Sequence, residues 1–189
     1  MQEILILGRG GQGAQTAGNL LARAFYAEGM QVQTFATYGG ARRGTPVTAS
    51  LRVDHRPIRL RCNIESATAV LCFDDSLFDD NLRRSATAET RILVNTSRGE
   101  ASFSGLGDFQ VITVDGNEIA RSNGMGKVVN SALLGAFVAI LGQPRIETMS
   151  RVVEEMSPLK QQQNVASCNE GFQRLQQSIQ QSIQQGDSR

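Results

Sequence analysis

A glycine-rich turn near the amino terminus limits what this chain can fold into more than any other feature. The turn reads Gly8-Arg9-Gly10-Gly11-Gln12-Gly13, follows the apolar run 4–7 and precedes a helical pattern that begins near Ala14. Strand, glycine turn and helix in this order are typical of a phosphate-binding βα unit. The first glycine permits a tight turn, the second allows a ligand to approach the backbone, and the third allows the helix to pack closely on the strand.

The chemistry of this turn favours an anion. The helix that starts there has unpaired amides and a partial positive charge at its amino terminus, and Arg9 and Gln12 add a cation and an amide. A close strand-to-helix turn also requires glycine for steric reasons alone, so a purely structural turn is the alternative. NAD is a poorer fit, because the second predicted strand, residues 32–38, carries no carboxylate where a dinucleotide fold holds the ribose hydroxyls.

Composition and charge exclude several classes of function. With 189 residues the chain is long enough for one α/β domain, and we expect a single domain over residues 1–189. The formal net charge of +1 argues against a general role at nucleic acid or at a membrane surface. No apolar run approaches the ~20 residues of a spanning helix, and a strand at the amino terminus leaves no room for a signal peptide. We therefore expect a cytoplasmic protein.

The cysteines and the single histidine argue against a metal centre in this chain. Cys62, Cys72 and Cys168 form no Cys-x-x-Cys pair, whereas an iron–sulfur cluster normally requires four thiolates. His55 is the only histidine, and no zinc-ligand spacing is present. We expect three reduced thiols, with Cys72 in the core because it lies in an apolar strand.

The remaining pattern alternates apolar strands with helices. Continuous apolar segments at 69–73, 91–95 and 110–114 are typical of parallel strands that are covered on both faces. We therefore predict a Rossmann-like α/β fold, with a mostly parallel sheet and helices on both faces. The predicted helices are about 14–28, ended by Gly29, then one that residues 74–76 can cap and that runs to about Arg84, 116–122, 130–141, 146–156 and a docking helix at about 164–185. The helix at 130–141 is apolar all round, which predicts a central helix or one that also lies at a subunit interface.

An arginine-rich β-hairpin is predicted to interrupt this alternation. Residues 47–53 alternate at period two, residues 54–56 form a turn, and residues 57–60 return as a short edge strand. The segment carries Arg52, Arg56, Arg59 and Arg61. These arginines are expected either to bind an anion or to pair with acidic residues of a neighbouring chain.

A second candidate loop follows the predicted second strand. It contains Arg42, Arg43 and Gly44, and ligands bind outside the carboxyl ends of the strands in an open α/β sheet. We therefore expect this loop to lie near the glycine turn. The candidate binding residues are Gly8, Arg9, Gly10, Gly11, Gln12, Gly13, Arg42, Arg43 and Gly44.

No catalytic acid, base or nucleophile is apparent in the sequence. His55 lies in a turn beside a proline and is expected to be exposed, and no Gly-x-Ser-x-Gly occurs. The acidic residues Asp74, Asp75, Asp79 and Asp80 are better explained by helix capping and a solvated face than by a metal site. A binding turn without reactive groups indicates part of an enzyme.

Three ordered blocks of this sequence resemble the gamma subunit of 2-oxoacid:ferredoxin oxidoreductases. They are residues 8–13, 38–47 and 130–137, and residues 160–171 are similar to the family's C-terminal segment. The resemblance implies a complex that oxidatively decarboxylates a 2-oxoacid with thiamine diphosphate. Electrons pass through [4Fe-4S] clusters to ferredoxin, and coenzyme A accepts the acyl group. The sequence of residues 42–47 is more similar to gamma subunits of the pyruvate and 2-ketoisovalerate enzymes than to those of the 2-oxoglutarate enzymes.

The resemblance also implies the partners of this chain. They are an alpha subunit, a thiamine-binding beta subunit and a ferredoxin-like delta subunit, and the isolated chain is expected to be inactive. From the helix-dipole turn and the nearby arginines we hypothesise that the glycine turn and the Arg42–Arg43 loop face the shared active-site region. There they would either bind the phosphates of coenzyme A or shape the subunit interface. The alternatives are a stand-alone Rossmann-type nucleotide-binding oxidoreductase, a pure scaffold, and a subunit of an indolepyruvate oxidoreductase.

Overall fold

A six-stranded mixed sheet forms the centre of the computed structural model, which describes residues 1–38, 44–105, 107 and 109–186. The strands are β1 Gln2–Arg9, β2 Gln31–Tyr38, β3 Pro46–Asp54, β4 Ala69–Cys72, β5 Arg91–Asn95 and β6 Gln110–Val114. Their order is β2-β3-β1-β4-β5-β6. Strands β1, β4, β5 and β6 are parallel, and β3 is antiparallel to both of its neighbours. The predicted α/β fold class is confirmed.

The helices are distributed unequally over the two faces of this sheet. They are α1 Ala14–Ala27, α2 Asp80–Arg84, α3 Gly116–Ser122, α4 Asn130–Leu141, α5 Ile146–Met156 and α6 Gln161–Gly186. The larger core cluster joins one face of the sheet to α1 and to α3–α6. The opposite face is covered by α2, by a 3-10 turn at Glu100–Phe103 and by connecting loops. In the described part of the chain, no helix is both long and apolar enough to cross a membrane.

Alternation along the strands builds these two core clusters. In β1, Ile4 and Ile6 face the larger cluster, whereas Leu5 faces the smaller one, because successive strand residues point to opposite faces. All four residues of β4 are buried, as the continuous apolar segment predicts.

The predicted hairpin between residues 47–53 and 57–60 is wrong. β3 pairs instead with β2, so the hairpin consists of β2 and β3, and residues 57–60 form no strand. The reason is topological: β3 lies between β1 and β2, and neither of its edges is free for a further strand.

Helices are present at both of the positions predicted for the apolar helix and for the C-terminal helix, namely α4 and α6. Almost every residue of α4 is buried, and α6 packs along it. Ser131 donates a hydrogen bond of 2.6 Å to the carboxamide oxygen of Asn164, which joins the two helices inside the core. Cys168 and Leu175 of α6 are buried in the same cluster. Helix α6 begins at Gln161, three residues earlier than predicted.

Candidate functional site

A cleft of about 1030 Å³ opens at the carboxyl ends of β1, β4, β5 and β6. This is the edge at which open α/β sheets bind ligands. The cleft is lined by three stretches that follow β1, β4 and β5, by the start of α3, and by the segment that leads into α4. Its lining residues are Gly11, Gln12, Gly13, Phe73, Asp74, Asp75, Asn95, Thr96, Ser97, Asp115, Asn117, Arg121, Gly126, Lys127, Val128, Val129 and Asn130.

Two long helices begin at this cleft without a side-chain cap. The residues that precede them, Gly13 before α1 and Val129 before α4, make no capping hydrogen bond from a side chain, and neither helix has an acidic residue in its first turn. The short helix α3 differs, because Asp115 accepts a hydrogen bond of 2.9 Å from the Glu118 amide. The free amides and the partial positive charge of α1 and α4 therefore point to an anion in the cleft.

The two helix starts meet at Gly13 and Asn130. Gly13 has a φ of 88°, and a Cβ there would collide with the Asn130 carboxamide. The carboxamide oxygen of Asn130 is buried and accepts no hydrogen bond from any residue that the structure describes. Glycine is thus required here both for the backbone angle and for the close approach of α4.

The other glycines of the turn have roles that differ from the predicted ones. Gly8 was expected to permit the turn. In the structure it allows the start of α1 to pack closely on β1, because a Cβ at Gly8 would lie 2.9 Å from the Ala14 Cβ. Gly10, expected to admit a ligand, is paired with the segment before β3. Its amide donates to the Thr45 carbonyl at 2.8 Å, and its carbonyl accepts from the Gly44 amide at 3.1 Å. Gly11 and Gly13 line the cleft, whereas Gly8, Gly10 and Gly44 do not.

The side chains of Arg9 and Gln12 brace the turn. Arg9 donates to the Asp74 carboxylate at 3.3 Å, to the Ser76 hydroxyl at 2.6 Å and to the Gly44 carbonyl at 3.3 Å. Gln12 donates to the same carboxylate at 3.1 Å and accepts from the Arg9 amide at 2.7 Å. Both residues were predicted to offer ligand-binding groups, but in the structure their polar atoms hold the turn against the end of β4.

Asp74 is the hub of this network. Burial opposes ionisation of its carboxyl group, but hydrogen bonds from Ser76 and Gln12 and the charge of Arg9 outweigh burial and hold the pKa of Asp74 below its ordinary value. Asp74 does act as a cap, because it accepts a hydrogen bond from the Ser76 amide at 3.1 Å, but it caps only the 3-10 turn Asp75–Leu77. The predicted continuous helix to about Arg84 is wrong, since α2 is a separate helix that begins at Asp80. The ionised carboxylate therefore stabilises the cleft wall.

Replacing Asp74 with asparagine is expected to lower the free energy of unfolding at pH 7 by about 2 kcal/mol, because charge-assisted hydrogen bonds are lost. A folded-state pKa below the unfolded value means that this stabilisation is complete at neutral pH. It is lost as the pH falls below 3.8, the ordinary pKa of the group. Denaturant unfolding of the wild type and of Asp74→Asn between pH 7 and pH 3 measures the difference. If the difference in unfolding free energy between the two proteins stayed constant down to pH 3, the stabilisation would not depend on an ionised Asp74 carboxylate.

Two cations at the cleft were missed by the sequence reasoning. Arg121 and Lys127 line the cleft and are exposed, and neither forms an ion pair with a residue in the described ranges. The carboxylate of Asp75, by contrast, accepts hydrogen bonds of 2.8 Å from both Thr96 and Arg98. The sequence did contain a signal for Arg121 and Lys127 as ligand-binding residues. Both follow β6, and ligand-binding groups collect beyond the carboxyl ends of strands.

Arg42 and Arg43 lie outside the described residues, as does the rest of segment 39–43. Both ends of that segment are described. Tyr38 of β2 pairs with Val47 of β3, and Val47 pairs with Gly8 of β1. The described residues on either side of positions 39–43 thus lie at the same end of the sheet as the glycine turn. The role of the two arginines stays a prediction.

The other side chains that could take part in catalysis are His55, Cys72 and Cys168. His55 is exposed, as predicted. Burial raises the pKa of the Cys72 and Cys168 thiols to about 12, which makes both poor nucleophiles. Within the ranges that the structure describes, no three His, Cys, Asp or Glu residues are grouped so that they could hold a metal ion.

The strand order argues against a dinucleotide site. In a classic dinucleotide-binding sheet, the strand that carries the ribose-binding carboxylate lies beside the first strand. Here the antiparallel strand β3 lies between β1 and β2, and β2 contains no carboxylate. The geometry therefore disfavours the stand-alone nucleotide-dependent enzyme.

Comparison with known proteins gives consistent matches. The family model described as pyruvate ferredoxin/flavodoxin oxidoreductase matches residues 3–174. The chain is 36% identical over 160 residues to the pyruvate synthase subunit PorC of Methanothermobacter thermautotrophicus, a match that covers 85% of this chain and 87% of that protein. It is 34% identical over 183 residues to the pyruvate/ketoisovalerate oxidoreductases common subunit gamma of Pyrococcus abyssi, with coverage of 93% and 98%.

A solved structure gives the same result. The crystal structure of the pyruvate oxidoreductase subunit PORC from Thermotoga maritima superimposes with a TM-score of 0.80 at 27% identity, over 91% of this chain and 95% of that one. The resemblance predicted from the three sequence blocks is confirmed. Because the family model spans most of the chain and the relatives align over nearly their whole lengths, this chain belongs to the pyruvate ferredoxin/flavodoxin oxidoreductase family.

Proposed function

We propose that this chain is the gamma subunit of a 2-oxoacid oxidoreductase complex and that its cleft binds the phosphates of coenzyme A. The observation that carries the proposal is the meeting of two uncapped helix amino termini, those of α1 and α4, in one cleft. A pyrophosphate fits such a site, because main-chain amides bind its oxygens and helix dipoles stabilise its negative charge.

The surroundings of the helix termini support an anionic ligand with an extended organic part. Lys127 and Arg121 supply two positive charges at the cleft, and the carboxylates of Asp74 and Asp75 are engaged by Arg9 and Arg98. A cleft of about 1030 Å³ lies at the upper end of the ordinary range for ligand pockets. It is therefore large enough for a nucleotide with a long pantetheine arm.

The rest of the reaction is assigned to other subunits. We propose that thiamine diphosphate and the [4Fe-4S] clusters lie on the beta and delta chains, that ferredoxin receives the electrons, and that an alpha chain completes the complex. The 2-oxoacid is pyruvate or 2-ketoisovalerate, in keeping with the names of the two relatives described above. This chain contributes binding and positioning of coenzyme A.

Lys127→Gln and Arg121→Gln are expected to weaken coenzyme A binding in the assembled complex. Each substitution removes one charge-assisted contact, so KM for coenzyme A should rise about 10-fold while kcat changes little, since such a contact contributes roughly 1.5 kcal/mol. Arg42→Ala and Arg43→Ala test the adjacent loop in the same assay. Initial rates with varied coenzyme A and saturating 2-oxoacid provide the measurement.

Arg151→Gln is the matched control, because Arg151 is exposed on α5 away from the cleft lining. The control should leave KM for coenzyme A unchanged. If both cleft substitutions also leave KM unchanged in an intact complex, the cleft does not bind the coenzyme. The glycine turn would then be structural, as in the scaffold alternative.

A further inference from the structure

An arginine-rich segment, residues 55–61, lies at the opposite edge of the sheet from the cleft. It follows the end of β3, where Asp54 pairs with Gln31 at the beginning of β2. The segment contains three arginines and no acidic residue. It is therefore a concentrated patch of positive charge on a chain whose formal net charge is only +1.

The buried side chain of Arg52 anchors the end of this segment. Arg52 is 1% exposed and lies on one row of the sheet with Glu3 and Gln33. Its guanidinium donates to the Glu3 carboxylate at 2.7 Å, to the Gln33 carboxamide at 3.0 Å and to the Asn63 carbonyl at 3.2 Å. Gln33 in turn donates to the Leu60 carbonyl at 2.8 Å. The backbone that carries the arginines is thus fixed to the sheet on both sides of residue 61.

The arginines of the fixed segment have no charged partners in the described part of the chain. Arg56, Arg59 and Arg61 are exposed, and none forms an ion pair with a described residue. The nearby carboxylate of Asp54 is engaged by the N-terminal ammonium at 3.1 Å. Leu60 lies between two of the arginines and is 44% exposed.

We infer that residues 55–61 dock against an acidic face of another subunit of the oxidoreductase complex. Arginines around an exposed apolar residue match the composition of protein interfaces, in which arginine is enriched and an apolar contact is surrounded by polar groups. A backbone fixed by Arg52 and Gln33 lowers the entropy lost on docking. Docking at this edge leaves the cleft at the other edge open, so the inference is independent of the coenzyme site.

An acidic protein face fits this segment better than a nucleic acid does. The segment contains no Phe, Tyr or Trp on which a base would stack, and three cations on a nearly neutral chain form a small electrostatic footprint. Burial of the exposed Leu60 side chain against an apolar surface would be favourable, and a phosphate backbone does not provide such a surface.

The test uses the complex purified by co-expression of all its subunits. Arg59→Glu with Arg61→Glu should raise the dissociation constant of this chain from the complex about 100-fold, as expected for reversing two interfacial charges. Mass photometry over a dilution series measures the intact fraction. The wild-type complex should dissociate more readily at higher NaCl concentration, whereas Arg59→Gln with Arg61→Gln should show a much weaker dependence on salt.

The matched control is Arg23→Glu with Arg151→Glu, which makes the same change in charge at exposed positions on α1 and α5. Equal weakening by both pairs would overturn the inference, because net charge alone would then explain the effect. An unchanged dissociation constant for both Arg59/Arg61 pairs would also overturn it. A third result would overturn the inference as well: the wild type binds a fluorescent 20-nucleotide DNA tightly, and Arg59→Glu with Arg61→Glu abolishes this binding but leaves assembly of the complex unchanged.

Discussion

Gly135→Ala is expected to destabilise this chain by more than about 3 kcal/mol, although alanine is the better helix former. A Cβ at Gly135 of α4 would overlap the carbonyl oxygen of Cys168 in α6. The same is true in the other direction, since a Cβ at Gly171 of α6 would overlap the carbonyl oxygen of Ala132 in α4. The obstacle in each case is backbone, which cannot rotate away, so the two helices would have to separate.

Thermal unfolding measures this effect, and a lowering of Tm by roughly 10 °C is expected for a domain of this size. Gly99→Ala is the matched control, because Gly99 has a φ of −71° and no atom lies within 4 Å of an added Cβ. The control should change stability by less than about 0.5 kcal/mol. If Gly135→Ala raised Tm, as alanine does at an exposed position in a helix, the close packing of α4 on α6 would be refuted.

Glu3→Gln is expected to lower the free energy of unfolding by about 3 kcal/mol. The substitution leaves the guanidinium of Arg52, 1% exposed, without its negative partner, and an unpaired buried charge is strongly destabilising. Glu3 itself is 23% exposed, which holds the cost near the lower end of the range for buried pairs. Denaturant unfolding at pH 7 measures the loss.

The double substitution Glu3→Gln with Arg52→Met provides the sharper readout. Removal of both charges should cost less than the sum of the two single changes by about 2 kcal/mol, because neither charge is then left alone. Glu65→Gln serves as the control, since Glu65 is exposed and should be nearly neutral. If Glu3→Gln were as mild as Glu65→Gln, the Arg52 side chain would not be held by its ion pair.

Much of the helical structure was predictable because its signal is local. The predicted helices 130–141 and 146–156 agree with α4 and α5 residue for residue. Their apolar periodicity and the breaks that flank them are contained in a few turns of chain. The glycine turn was found for the same reason, since strand, turn and helix are neighbours in the sequence.

The partners of the strands and of the polar side chains were not predictable in this way. Arg52 was expected to bind an anion or to pair with an acidic residue of a neighbouring chain, but it is buried against Glu3 of the same chain, which is 49 residues away in the sequence. Arg9 was expected to offer its charge to a ligand, but it contacts Asp74, which is 65 residues away. In each case the residue type indicated that a guanidinium would donate hydrogen bonds to some acceptor. Which residue accepts them depends on the fold, because the acceptor is distant in the sequence.

The sequence by itself determined the α/β class, the glycine turn and the family, because each depends on residues that are close together or on the order of whole blocks. Only the tertiary structure decided that β3 lies between β1 and β2, that Gly13 meets Asn130, and that α1 and α4 begin at one cleft. These relations depend on which distant segments pack together to exclude water and to satisfy backbone hydrogen bonds. A local pattern does not encode that choice.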